Sequence, residues 1–487
     1  MPQLPRSLYT AAQVRELDRR AIAAGVAGYA LMTRAGQAAF QRLRERWPQA
    51  SRIVVLAGPG NNGGDGYVLA RLAWNQHLDV KIVTVGDHDH LAGEAAEAAS
   101  DATRARVPEV SWQGRLPEAD VYVDALFGTG LNKPVAGDFA AAIAALNASG
   151  RPVLALDIPS GLQADTGAEL GEAVRADATI SFIGLKAGLF TGRGPALTGE
   201  VFFHALSVAA AVYEGIAPVA QRLTATDLAV LGCRPRDAHK GMHGHVLVVG
   251  GNQGMAGAVA LAGEAALRSG AGLVSVATRP AHTGVLTARR PEIMCHGVER
   301  AGDLAPLLAR ADVVVLGPGL GRDDWGRALF GAVLDSRLPL VLDADALNLL
   351  AEMPEQRADW ILTPHPGEAG RLLGLTTAQV QADRFAAVRT LHERYGGSIV
   401  LKSAGTLVQD DAGLSLCPYG NPGMATAGMG DVLSGVAGAL RAQQVPQAAA
   451  MAVLVHALAG DRAAHDGGER GLMASDLFPF LRLQVNP

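Results

Sequence analysis

Short apolar runs, bounded by Gly, Pro or Asp and separated by longer amphipathic stretches, recur along most of the chain. In the first half they fall at residues 53–57, 80–85, 121–126, 153–157, 179–182 and 201–205. In the second half they fall at 245–251, 273–277, 312–316, 340–343, 360–363, 398–402 and 406–409. Runs this short predict strands, and the spacers predict helices. Ahead of the first run, Thr10-Ala11-Ala12-Gln13 has capping-box spacing, and Val14, Leu17, Leu31, Ala35, Ala39 and Leu43 recur at three- and four-residue intervals, so this segment is expected to be helical. Strands alternating with helices predict an α/β protein with mostly parallel, doubly wound sheets. The pattern lapses into Pro, Arg, His and Gly between residues 214 and 244, which places a boundary near Ala217 and gives two tandem domains, 1–217 and 218–487. No fixed period of 20–50 residues appears, which excludes a solenoid.

Composition narrows the class. At roughly 150 residues per domain, 487 residues make two or three domains, each able to bury a core. Hydrophobic residues at 49% and charged residues at 18% suit a globular chain. Lys and Arg total 42 against 47 Asp and Glu, so no positive field exists to hold a polyanion, and nucleic acid is not expected as a partner. Cys233, Cys295 and Cys417 form no close pair, which argues against a disulfide framework or a cysteine metal site and fits a reducing cytoplasm. The longest apolar run, residues 448–455, is far below membrane-spanning length, and the first thirty residues lack the apolar core of an export signal. A cytoplasmic protein that assembles into a homo-oligomer is the expectation.

Candidate chemistry clusters where strands end. After the run at 53–57 comes Gly58-Pro59-Gly60-Asn61-Asn62-Gly63-Gly64-Asp65-Gly66, with a helix expected to open near Tyr67. Such a glycine-rich stretch lets backbone amides approach an anion at a helix start. A bare turn would need neither the paired Asn nor the Asp, side chains that read a ribose or amide or offer oxygens to a cation. Two further strand ends carry Asp124-Ala125-Leu126-Phe127-Gly128-Thr129-Gly130-Leu131-Asn132-Lys133-Pro134 and Asp157-Ile158-Pro159-Ser160-Gly161. Each Asp alone also reads as a helix cap or turn former. Because strand ends of a doubly wound sheet converge on one crevice, Asn62, Asp124, Asp157 and Ser160 are expected to meet there.

This trio resembles the YjeF N-terminal family, the NAD(P)H-hydrate epimerases, over most of residues 10–213. The resemblance implies that Asn61, Asn62, Gly63, Gly64 and Asp65, with Gly128, Thr129, Gly130, Leu131, Asn132, Lys133 and Pro134, hold a hydrated nicotinamide dinucleotide. It implies further that Asn62, Asp124 and Ser160 ligate a potassium ion through oxygens, the donors that hard cations take. Asp157 would then be catalytic at the reacting ring, moving protons and stabilising positive charge.

In the second half the sharpest signal is Asn421-Pro422-Gly423-Met424-Ala425-Thr426-Ala427-Gly428-Met429-Gly430-Asp431, which runs into an Ala/Leu-rich helix. Its last glycines would aim amides at a transferring phosphoryl group, and Asp431 is placed to take a proton from an attacking hydroxyl. The plain alternative is an Asp favoured by the helix dipole. Thr363-Pro364-His365-Pro366-Gly367-Glu368 offers His365 to a substrate and Glu368 to a hydrated Mg²⁺. Lys402-Ser403-Ala404-Gly405-Thr406 joins two strands and suits nucleotide phosphates or ribose, while residues 251–258 and Gly317-Pro318-Gly319-Leu320-Gly321 bring backbone close.

With His239-Lys240-Gly241, these motifs resemble the YjeF C-terminal family, nucleotide-dependent NAD(P)H-hydrate dehydratases of ribokinase-like fold, over about 222–485. The resemblance implies that Lys402, Ser403, Ala404, Gly405, Thr406 and Gly430 bind ADP, with Mg²⁺, and that Ala258, Gly319 or Gly321, His365 and the catalytic Asp431 bind the hydrate. The two halves together are similar to bacterial bifunctional repair enzymes, in which a Rossmann-like epimerase domain supplies a dehydratase acting on NADHX and NADPHX with ADP as donor. Two other readings stand beside it: a small-alcohol kinase with a fused ligand-binding domain, and a first half that is an interaction module of the kind found in RNA-processing proteins. The kinase predicts a stable phosphorylated product; the module predicts loss of the oxygen ligands and a basic or aromatic surface.

Overall fold

A computed structural model describes residues 4–486. The chain divides into two compact units, the first ending at Gln221 and the second beginning at Arg222, where the sequence placed the boundary after residue 217. Both units are α/β with parallel sheets.

In the first unit seven parallel strands lie in the order Glu109–Ser111, Asp79–Thr84, Arg52–Ala57, Val121–Ala125, Val153–Leu156, Ala178–Phe182, Glu200–His204. The central strands read as unbroken apolar runs because helices cover both faces. Winding reverses between Arg52–Ala57 and Val121–Ala125, and a doubly wound sheet opens its ligand crevice at that reversal. Thr10 forms the expected capping box with Gln13 ahead of the helix Ala11–Ala23. The helix after the first strand opens at Asn61, six residues before the expected Tyr67, so Asn61, Asn62 and Gly63 form its first turn. The expectation failed because two Asn and three Gly are poor helix formers; tertiary packing overrides their propensity. Ser7–Tyr9 and Leu185–Lys186 pair in parallel, two strands too short to leave a periodic signature.

The second unit repeats the winding with Met294–Gly297, Leu273–Thr278, His245–Val249, Val313–Leu316, Leu340–Leu342, Trp360–Leu362 and Ser398–Leu401, all parallel. Thr406–Asp410 and Gly413–Cys417 continue the sheet antiparallel. The strand at 294–297 escaped the sequence reading because Met-Cys-His-Gly at a half-buried edge carries no apolar run. The run at 448–455 belongs to the helix Ala448–Gly467, packed in the core beside Met429–Ala442. No helix among the described residues is long and apolar enough to cross a membrane.

Helix Met429–Ala442 lies against helix Ala256–Arg268 at backbone contact: a Cβ on Gly435 would strike the Ala262 carbonyl oxygen. Gly435→Ala is expected to lower the stability of the second unit by about 1–3 kcal/mol, read as an earlier urea midpoint.

Candidate active sites

The first site is a cavity of about 860 Å³ at the reversal of the first sheet, whose walls include Asn61, Asn62, Asp65, Asp157 and the whole segment from Gly128 to Pro134. Gly63 and Gly64 do not line it. A Cβ at Gly63 would strike the Gly58 carbonyl oxygen and one at Gly64 the Met32 side chain, so internal packing already demands both glycines. The amides of the helix's first turn have no intrahelical acceptors and stay available to an anion.

Asp124 and Ser160 lie behind the cavity wall, fully buried. The Ser160 hydroxyl donates to Asp124 Oδ1 at 2.6 Å and the Ser160 amide to Oδ2 at 2.7 Å, while the Phe127 amide donates to Ser160 Oγ at 2.8 Å. Asn62 Nδ2 donates to the Phe127 carbonyl at 3.0 Å, which leaves its buried Oδ1 without a hydrogen-bond partner. Burial pushes the Asp124 carboxyl up to about 6 against the pull of these donors.

Asp157 ends its strand at φ +64°, a costly conformation for a non-glycine residue and one that turns up at functional sites. Its Oδ1 is paired with Lys186, which is wholly buried and also donates to Ser181 Oγ and the Phe182 carbonyl, each at 3.1 Å. Two more carboxyls feel this pair. Burial raises Asp18 to about 6 and Asp65 well above the usual range, and Asp157 adds to both shifts. The sequence reading missed Lys186 and Asp18. A lysine inside the apolar stretch Ile183-Gly184-Leu185-Lys186-Ala187-Gly188-Leu189 was the available signal, since a buried lysine needs a partner.

The second site gathers strand ends of the second sheet. Gly428 caps helix Met429–Ala442 at φ +88°, so the amides of Met429, Gly430 and Asp431 open the helix without intrahelical acceptors. Asp431 is half-buried, and burial together with Asp343 raises it to about 7 while Lys402 pulls it down. Beneath the turn the His456 ring meets the Met429 backbone, and burial lowers the ring to about 4, so it is neutral.

His365 acts as a helix cap: its Nδ1 accepts from the Gly367 amide at 3.0 Å, leaving the proton on Nε2. Glu368 completes the capping box, taking the His365 amide on Oε2 at 2.8 Å. The same Oε2 lies 3.9 Å from Lys402 Nζ, and burial raises Glu368 to about 7. Glu368 is therefore engaged with its own helix and Lys402, a role beyond the expected outer-sphere contact with Mg²⁺. The turn of Lys402, Ser403, Ala404, Gly405 and Thr406 closes a hairpin, as expected. Lys402 Nζ bonds Asp343 Oδ1 at 2.8 Å, and fully buried Arg384 donates to the carbonyls of Ala404, Gly405 and Leu401 at 2.9, 3.0 and 3.1 Å. Neither Asp343 nor Arg384 stood out in the sequence.

Ala258 and Gly319 are neighbours: a Cβ on Gly319 would stand 3.3 Å from the Ala258 Cβ. Gly321 follows two residues on, its amide donating to Asp345 Oδ2 at 2.9 Å. A separate cavity of about 790 Å³ lies at the far end of helix Met429–Ala442, lined by Arg234, Arg268, Arg290 and Arg482. Three of these cations have partners at the cavity: Arg234 donates to the Gly270 carbonyl, and Arg268 and Arg290 pair with buried Glu264.

Residues 28–188 match the family described as YjeF-related protein N-terminus, and residues 246–482 the family described as NAD(P)H-hydrate dehydratase. The bifunctional NAD(P)H-hydrate repair enzyme Nnr of Coxiella burnetii is 51% identical over 99% of both chains. The chain belongs to the bifunctional NAD(P)H-hydrate repair enzymes. The enzyme of the same description from Escherichia coli is 43% identical over 99% of this chain and 95% of its own. Among solved structures, a ribokinase-like superfamily protein from Enterococcus faecalis matches with a TM-score of 0.51 and 31% identity, covering 54% of this chain and 95% of its own. Likeness over nearly the whole length to two-activity repair enzymes disfavours both the small-alcohol kinase and the interaction module.

His456 ties the dehydratase unit's stability to pH. The ring is neutral when folded and titrates near 6.5 when unfolded, so its contribution is complete above pH 6.5 and lost as pH falls toward 4. Between pH 8 and 5 the protein is expected to lose about 1–2 kcal/mol more than His456→Gln does, measured by urea unfolding.

Proposed function

We propose that the first unit interconverts the R and S forms of hydrated NADH and NADPH, and that the second dehydrates the S form with ADP as phosphoryl donor, releasing reduced nicotinamide, AMP and phosphate. The observation that carries this reading is a pair of strand-end sites, each with an Asp beside a helix start whose amides are free for an anion.

In the epimerase unit the first-turn amides of Asn61, Asn62 and Gly63 receive a phosphate of the dinucleotide, and the Gly128–Pro134 wall holds the remainder. Configuration at the hydroxyl-bearing carbon is lost when a bond there breaks and re-forms, which requires a proton to move at the hydroxyl or at the ring nitrogen. Asp157 performs that transfer, with Lys186 fixing its carboxylate. The donor set of Asn62 Oδ1, the Asp124 carboxylate, Ser160 Oγ and the Phe127 carbonyl suits potassium: all are oxygens, Oδ1 lacks a partner, and Asp124 has no ion pair among the described residues. Bound there, potassium would supply the counter-charge for Asp124, and Asn62 Oδ1, Ser160 Oγ and the Phe127 carbonyl would complete its oxygen ligands.

In the dehydratase unit Asp431 takes the proton of the 6-hydroxyl. The oxygen attacks the β-phosphorus of ADP, AMP leaves, and loss of the phosphate ester together with a ring proton regenerates the reduced nicotinamide. Hydroxide is a poor leaving group; phosphate is a good one. The amides of Met429, Gly430 and Asp431 face the charge that develops on the phosphoryl group. No cluster of three metal-ligating side chains occurs among the described residues, which suits Mg²⁺ carried on the nucleotide with most of its waters.

Given both epimers, Mg²⁺ and ADP, the protein is expected to restore reduced-nicotinamide absorbance completely. Asp431→Asn should lower dehydration at least about 100-fold and spare epimerisation, and Asp157→Asn should do the reverse. Loss of both activities in either variant would sink the two-site reading. Replacing potassium by lithium should slow the conversion of R to S form and leave dehydration of the pure S form unchanged; equal rates in both ions would remove the ion from the Asn62, Asp124 and Ser160 site.

A further inference from the structure

The chemistry assigned to Asp431 and its turn leaves Asp343 without a task. Asp343 follows the strand Leu340–Leu342 at the N-cap of helix Ala344–Glu352, yet its side chain makes no capping bond there. An aspartate in that position ordinarily accepts from the helix's first amides. Here the carboxylate, 2% exposed, faces away: Oδ1 takes Lys402 Nζ at 2.8 Å and Oδ2 takes the Ser434 hydroxyl at 2.8 Å. Ser434 Oγ also lies 2.9 Å from the Gly430 carbonyl, but it has one proton, and a carboxylate is the stronger acceptor. The residue that follows, Ala344, stands at φ +47°, a strained conformation that persists only where the surroundings enforce it.

These contacts join a strand end, the 402–406 turn and the second turn of the helix that carries Asp431. They also reach the reacting turn itself. A Cβ on Gly430 would stand 3.3 Å from Asp343 Oδ2 and 3.5 Å from Lys402 Nζ, so the ion pair lies against the peptide that precedes Asp431. We propose that Asp343 is a positioning residue for dehydration: it holds the Lys402 ammonium and the Ser434 hydroxyl so that Lys402 and Asp431 keep a fixed separation where the hydroxyl proton is removed. Asp343 acts through these partners and does not touch the substrate. The inference rests on the reading of Asp431 as the base.

A clamp without an electrostatic role would leave the base's titration alone. The charges that face Asp431 are Asp343, which raises it, and Lys402, which lowers it; Lys402 in turn faces Glu368, His365 and His456. Removing the charge of Asp343 removes the group that raises Asp431 and leaves the pull of Lys402 on it, so the base weakens and titrates at lower pH.

The test uses the full-length protein with the S form, ADP and Mg²⁺, comparing Asp343→Asn, Lys402→Gln and the double variant. Asp343→Asn is expected to lower kcat about 100-fold with KM for ADP changed less than about threefold. The acid limb of its pH profile should move down by at least about half a unit. The double variant should be no slower than Lys402→Gln alone, because the two act as one unit. An Asp343→Asn variant with the parent's kcat and acid limb, or effects that multiply in the double variant, would overturn the proposal. Should Asp343→Asn fail to fold, Ser434→Ala decides: a fall in kcat of about tenfold at unchanged KM supports the tether, and the parent's kcat removes it. Asp431→Asn run in parallel separates the two ideas. Dehydration surviving there removes the base reading and the proposal that rests on it; dehydration lost there but retained in Asp343→Asn removes only the role of Asp343.

Discussion

Taking a carboxylate out of water at the end of a parallel strand costs several kcal/mol unless a counter-charge or a set of donors replaces the lost hydration. Both units meet this constraint at the place where their sheets open. Asp157 is matched by Lys186, which is wholly buried, and Asp343 by Lys402, which is half-buried. Asp124 is matched differently, by the hydroxyl and amide of Ser160 and the amide of Leu126. Once these partners are fixed, so are the loops that carry them, because each pair joins two strand ends that are remote in sequence.

The neighbouring acids inherit their character from this arrangement. Asp18, Asp65 and Asp431 lie near an ion pair rather than within one, Glu368 sits at the edge of the Lys402 pair, and burial pushes every one of them upward. Asp18, Glu368 and Asp431 so placed hold or release a proton near neutral pH, the range in which a base or acid is most useful to a reaction run in water. The proposed roles divide differently in the two units: in the second, Asp343 is held by Lys402 while Asp431 beside it exchanges the proton, whereas in the first Asp157 is both the carboxylate held by Lys186 and the proposed proton carrier.

Much of this was legible in the chain. Short apolar runs ending in Asp or Gly gave the parallel strands because a sheet covered on both faces needs them, and the long motifs lay at strand ends because that is where such a sheet opens. The early start of the helix at Asn61 was not legible, since its residues are poor helix formers held by packing on Gly58 and Met32. Nor were Lys186, Asp343 and Arg384. Each acts through a partner dozens of residues away or through main-chain oxygens, and neither leaves a spacing in the sequence. His365 and Glu368 were seen as ligands, whereas their mutual cap became visible only once the helix Pro366–Leu373 was in place.

The grip of Arg384 on the hairpin does not depend on which side chains the turn carries. It recognises the carbonyls of Leu401, Ala404 and Gly405, groups that every amino acid possesses. The path of the turn is thus held by a guanidinium on the helix Arg384–Tyr395 together with Gly405 at φ +63°, and not by the exposed side chains of Ser403 and Ala404. One buried cation does for this loop what a set of side-chain contacts would otherwise have to do, and it leaves the rim chemically unconstrained.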